Sequence, residues 1–100
     1  MNIPQIAEIK ALYQTILSLQ TEAECEAFFE DICTVKELQA MAQRLQVAGM
    51  LIEGKNYSSV CADTGASSAT ISRVNRCLLY GKGGYRTVLV RMKGEQKNGN

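Results

Sequence analysis

Between Ile6 and Ile52 the apolar side chains recur at helical spacing without a break, and a chain patterned this way must pack helix against helix. Ile6, Ile9, Leu12, Tyr13, Ile16, Leu17 and Leu19 trace the first stripe, in the steps of three and four residues that an α-helix puts on one face. Thr21 starts a second helix, with Glu24 completing a capping box. Cys25, Phe28, Phe29 and Ile32 then repeat the spacing. Thr34 and Glu37 give the same start signal to a long helix. It carries Leu38, Met41, Ala42, Leu45, Ala48 and Ile52 on one face and runs to about Glu53, where Gly54 stops it. Pro4, the single proline, stands where it can start the first helix. Nothing between residues 4 and 53 alternates like a strand, so the predicted fold class is all-α.

At 100 residues the chain has the length of one domain. A core of that size buries only about 60–70% of the unfolded surface, so a partner chain would help to stabilise it. A composition of 46% hydrophobic and 21% charged residues fits a globular protein better than a disordered one. No apolar run reaches the roughly 18 residues of a membrane helix. Residues 1–10 lack a basic stretch followed by an apolar one, which predicts no signal peptide and a cytoplasmic protein.

Absent residue types narrow the chemistry further. With no histidine, the commonest general base, the Ser-His-Asp triad and every His-containing metal site are gone. Cys25, Cys33, Cys61 and Cys77 form no CxxC pair, against both a zinc site and a thioredoxin-type centre. They read as reduced, small, buried hydrophobes, with a redox switch as the alternative. No base stands ready to activate a cysteine nucleophile, and no motif pairs two carboxylates. The sequence therefore predicts neither an enzyme, nor a metal site, nor a cofactor.

The net charge of +1 conceals an asymmetry. Residues 1–53 hold eight acids and three bases, net −5, and residues 54–100 hold eight bases and two acids, net +6. Such a split suggests one face turned toward a polyanion, and chance segregation of solvated charges is the bland alternative.

The stretch Tyr57–Tyr80, YSSVCADTGASSATISRVNRCLLY, reads as helix, tight turn, helix. Asn56 or Ser58 can cap a short first helix, Gly65 suits the turn, and Ser67 or Ser68 can cap the second helix. Ile71, Val74 and Leu78 fall on one face of that helix, with Ser68, Ala69, Ser72, Arg73 and Arg76 on the other. This is the pattern of a helix-turn-helix. A recognition helix enters the major groove with its N-terminal end foremost, where short side chains let the backbone approach the bases. Hydroxyls of Ser67, Ser68, Thr70 and Ser72 suit bases or phosphates, and the methyls of Ala69 and Thr70 suit thymine. Lys55, Ser58, Arg73 and Arg76 complete the candidate DNA-binding set, with Lys82 a further phosphate contact. The structural alternative is a plain helical hairpin with a solvated Ser/Arg face. After the break at Gly81, Gly83 and Gly84, the segment YRTVLVRM at residues 85–92 has strand-like composition but no partner strand. It is read as a terminal helix over residues 82–92, followed by a disordered polar tail over 93–100.

These residues resemble the Trp-repressor superfamily, and within it the YerC/YecD-like branch. GASSATISRVNRCLLYG at residues 65–81, RLQVAGMLIEGKNY at 44–57 and FFEDICTVKELQAMAQRL at 28–45 carry the resemblance, which extends over about residues 10–92. It implies a six-helix chain in an intertwined homodimer. Residues 1–53 would supply the dimerisation helices, and the helix-turn-helix of 57–80 would project from them within a single domain spanning 1–92. Two reading heads would then meet successive major grooves about 34 Å apart on a pseudo-palindromic operator. The resemblance also implies an effector pocket, because Thr34, Arg44, Thr70 and Arg73 match the positions that surround tryptophan in the tryptophan-binding members. Val74 stands where that pattern has Gly, and its side chain would crowd an indole, so tryptophan is not the expected effector. The alternative for Arg44 is an ion pair with Glu37 or Glu30.

The expected function is a sequence-specific, double-stranded-DNA-binding transcriptional regulator acting as a repressor, controlled by a small effector. The alternative is a helix-turn-helix adaptor that binds proteins and has no specific DNA site.

Overall fold

Two helix starts in this chain are set by threonines standing where the capping patterns place them. Thr21 Oγ1 accepts the Glu24 N–H at 3.1 Å. The return bond closes one residue early, since the Glu24 carboxylate accepts from Gln20 N–H at 2.9 Å and not from Thr21. Thr34 and Glu37 form the complete reciprocal box: Glu37 N–H to Thr34 Oγ1 at 3.1 Å, and Thr34 N–H to Glu37 Oε1 at 2.8 Å. At the far end of the long helix, Lys55 N–H bonds Met50 O at 3.1 Å and Gly54 N–H bonds Leu51 O at 3.0 Å. This is a Schellman termination, with Gly54 at φ +87°.

A computed structural model describes residues 6–98, with side chains through Gly94. Pro4 and the helix start expected there lie outside the described residues. Six helices result: α1 (Ala7–Leu17), α2 (Glu22–Ile32), α3 (Val35–Ile52), α4 (Tyr57–Thr64), α5 (Ser68–Tyr80) and α6 (Gly84–Asn98). Among the described residues there is no strand. The strand-like segment 85–92 is helical, as its lack of a partner strand predicts. Helix α6 continues past Met92 to Asn98, through Glu, Gln and Lys residues of good helix propensity. The expected tail boundary at residue 93 is therefore not a helix end, and Gly99 and Asn100 lie outside the described residues.

The chain divides into two units, residues 1–38 and 39–100, with the division inside α3. In the N-terminal unit neither α1 nor α2 buries a single residue. Leu17 is 82% exposed and Val35 72%. Phe28 and Phe29 make an edge-to-face pair at 5.3 Å. Short helices draw most of their stability from packing an apolar face, and here Ile9, Ile16, Phe28 and Phe29 are only half-buried while Leu12, Tyr13, Leu17 and Ile32 are exposed.

The C-terminal unit has the core. Val47 and Ala48 from α3, Val60 from α4, Ala66 from the turn, and Ile71 and Val74 from α5 are all buried. Met50, Leu51, Leu78, Tyr85 and Leu89 pack around them. Two expectations need correction here. Of the apolar face foreseen on α3, only Ala48 is buried and Ile52 half-buried, while Leu38, Met41, Ala42 and Leu45 are exposed. The reason is that α3 has a second apolar stripe, Val47, Met50 and Leu51, and this one meets the core. The cysteines are not buried either: Cys61 and Cys77 are exposed, and Cys25 and Cys33 half-buried. Core positions fall instead to their chain neighbours, Val60 beside Cys61 and Leu78 beside Cys77.

Two outcomes follow from this packing. Ile71→Ala removes the largest fully buried side chain and should lower the unfolding free energy by about 2–5 kcal/mol, read by urea titration. The Thr34 backbone N–H, and then its hydroxyl, hold the Glu37 carboxyl below the usual carboxylate range. Its contribution to α3 is therefore complete above the ordinary glutamate pKa and is lost as pH falls through the lowered value. A carboxyl NMR titration should show the depressed midpoint, and Thr34→Ala, which removes the hydroxyl but keeps the backbone N–H, should raise it only part of the way to the ordinary range.

Candidate nucleic-acid interface

Helices α4 and α5 with the three-residue turn between them form a helix-turn-helix, and each of its corners has an identifiable cause. Asn56, and not Ser58, caps α4: its Oδ1 accepts Ser59 N–H at 2.9 Å. At the other end Gly65 adopts φ +72°, ψ +6°, and its N–H returns to Cys61 O at 2.9 Å. Residues with a Cβ pay heavily for that left-handed conformation, and Gly does not. Thr64 then braces the turn. Its hydroxyl donates to Val60 O at 2.7 Å and accepts Ala66 N–H at 3.1 Å. Its carbonyl accepts a bond from Gln43 Nε2 on α3 at 3.2 Å. Ala66 is buried immediately afterwards. Neither Thr64 nor Gln43 was singled out by spacing, because a bond linking residues so far apart in sequence leaves no local pattern.

Ser67 caps α5. Its Oγ accepts Thr70 N–H at 3.1 Å, and its hydroxyl donates to Thr70 Oγ1 at 3.1 Å. The Ser67 hydroxyl proton and one of its two lone pairs are thus engaged within the helix start. Beyond the cap, Ile71 and Val74 turn inward, each 1% exposed, and Leu78 is half-buried. Ser68, Ala69, Ser72, Arg73 and Arg76 are exposed, Thr70 is half-buried, and Lys55 and Ser58 are exposed. The C-terminal end of α5 is tied to α6 by Arg86, whose Nε donates to Leu78 O at 3.4 Å. Lys82, in the link between the two helices, is exposed.

Charge follows the division of the chain. Residues 1–38 hold seven acids and two bases, net −5; residues 39–100 hold nine bases and three acids, net +6. The unit that contains α5 is therefore net cationic, and a helix N-terminus adds its own attraction for phosphate.

The residues of the expected effector pocket are placed as follows. Arg44, Thr70 and Arg73 belong to the C-terminal unit, with Arg44 half-buried. Thr34 belongs to the N-terminal unit, where its hydroxyl holds Glu37 N–H. The Glu37 carboxylate, one proposed partner of Arg44, is engaged by Thr34. Val74 lies within the core and not on an open surface. A cleft of about 280 Å³ in the C-terminal unit is lined by Gly49, Ile52, Glu53, Leu89, Val90, Met92 and Lys93, apart from those residues. Among the described residues no helix is long and apolar enough to cross a membrane.

A helix-turn-helix whose second helix exposes short hydroxylic side chains and arginines defines a protein of the DNA-binding regulator class. The chain belongs to the Trp repressor family: the model for Trp repressor protein matches residues 7–93. It is 52% identical to the YerC protein of Bacillus subtilis over 86 residues, 86% of this chain and 83% of that protein. It is also similar to a crystal structure of a candidate Trp repressor from Staphylococcus aureus, at 45% identity and a TM-score of 0.86, covering 89% of each chain. A TrpR-like protein from Eubacterium eligens gives 46% identity and a TM-score of 0.86, over 89% of this chain and 92% of that one.

The cap gives a direct test of local structure. Ser67→Ala should lower the stability of the C-terminal unit by about 1 kcal/mol, whereas Ser67→Asp, which keeps an acceptor for Thr70 N–H, should restore most of it. Thermal unfolding of the two variants reads the difference.

Proposed function

We propose that the protein is a homodimeric, cytoplasmic transcriptional regulator that binds a specific double-stranded DNA operator and represses by occluding the promoter. The observation that carries this reading is the two-sided character of α5. Ile71 and Val74 lock one face into the core, while Ser68, Ala69, Ser72, Arg73 and Arg76 stand clear on the other. A helix held so firmly from behind presents its front as a rigid surface, and the side chains on that front suit a major groove.

In this reading the hydroxyls and methyls near the start of α5 meet base edges, and Lys55, Ser58, Arg73, Arg76 and Lys82 meet phosphates. The open apolar faces of α1, α2 and the first half of α3 support the homodimer, since a second copy would cover them. The pseudo-palindromic operator follows from that symmetry. A small effector engaging Arg44, Thr70 and Arg73 is part of the proposal, because a pair of guanidinium groups suits a planar or carboxylate-bearing ligand. Tryptophan is not that effector: Val74 occupies the position that is Gly in the tryptophan-binding pattern.

Selection from random duplex DNA by the purified protein tests the reading. The expected product is a palindrome with half-sites one helical turn apart, bound with affinity that falls steeply as salt rises. Arg73→Ala should weaken operator binding by about 1–3 kcal/mol if the guanidinium touches a base, and relax preference at that position. A monomer with no sequence preference and little salt dependence would instead support the protein-binding adaptor.

A further inference from the structure

We infer that Gln43 is a positioning residue for the recognition helix, acting on DNA through the turn and not by touching it. The inference rests on the DNA-binding reading above. Thr64 O is one of the last carbonyls of α4, a group that the helix itself leaves without a partner. Gln43 Nε2 supplies that partner at 3.2 Å, from a half-buried position on α3. The same threonine holds Ala66 N–H with its hydroxyl. Ala66 is buried, and Ser67, the cap of α5, follows it directly. A continuous chain of bonds therefore runs from α3 through Gln43, Thr64 and Ala66 to the first turn of α5. Among the described residues, this is the side-chain hydrogen bond that joins α3 to the helix-turn-helix.

The hydrophobic cluster behind α5 fixes which face of the helix looks inward, but it leaves the polar backbone groups of the turn to find their own partners. A hydrogen bond is directional and fixes the turn at one end of the helix. Arg86 makes the corresponding bond at the other end, to Leu78 O. The start of α5 is the end that would enter the groove, where small misplacements matter most. Loss of the Gln43 bond should therefore degrade sequence discrimination more than it degrades attraction to phosphate.

The test uses the full chain, the duplex selected by the wild type and a scrambled duplex of equal length at the same salt. Gln43→Met removes the donor at nearly constant size, and Gln43→Asn keeps an amide too short to reach. Both should bind the selected duplex about five- to tenfold more weakly, the scale of one net hydrogen bond, with affinity for the scrambled duplex unchanged. The Ala66 amide should exchange faster in both variants. Equal losses on the two duplexes, or no loss on either, overturn the assignment. So does unfolding of both variants, which makes Gln43 a stability residue. A wild-type protein that selects no duplex overturns the DNA-binding reading itself, a result distinct from a wild type that selects and a variant that selects equally well.

Discussion

Everything functional in the C-terminal unit depends on a cluster of six side chains, Val47, Ala48, Val60, Ala66, Ile71 and Val74. Two come from α3, one from α4, one from the turn and two from α5, so the cluster is where all four segments meet. Ile71 and Val74 are three residues apart and share one face of α5. Fixing that face leaves Ser72, Arg73 and Arg76 no option but to point away from the core. Orientation of the exposed α5 surface is thus a by-product of burial, and the polar bonds at Thr64 and Leu78 refine what burial sets.

The N-terminal unit is built on the opposite principle. Helix α2 is well started, by Thr21, yet neither it nor α1 has a fully buried residue. Good capping sets where a helix begins but supplies only a small part of what keeps it folded. Ile6, Leu12, Tyr13, Leu17, Ile32 and Val35 remain open to solvent. Such an extent of uncovered apolar surface is unusual in a monomer. Its proposed covering by a second copy assigns the two halves of the chain different tasks, assembly for one and contact with DNA for the other.

Much of this architecture was readable in the sequence because its signals are local. Caps, helical periodicity and a glycine at the tight turn all act over four residues or fewer, and α1 to α5 begin and end close to where those signals lie. The residues of the α5 face were equally plain, since Ile71 and Val74 define the buried side and the remainder follows by rotation. What escaped was non-local. The inward stripe of α3 could not be chosen from two apolar candidates without knowing what packs on it. The exposure of Cys61 and Cys77 depended on whether they or Val60 and Leu78 faced the core. The bond from Gln43 to Thr64 joins parts of the chain with no shared pattern. Ser67 suits both capping and DNA contact by its sequence position, and its two hydrogen bonds to Thr70 show it capping α5.

The makeup of the buried cluster bears on the entropy of docking. Alanine has no side-chain rotamers to lose, and valine and isoleucine are stiff about χ1 because of their branching at Cβ. A head assembled from such residues is already close to one arrangement before any ligand arrives. Association that starts from a preorganised surface forfeits less conformational freedom than association that must first assemble it. The long, exposed arginine and lysine side chains keep the most rotamer freedom, so adaptation to a partner can proceed at their tips.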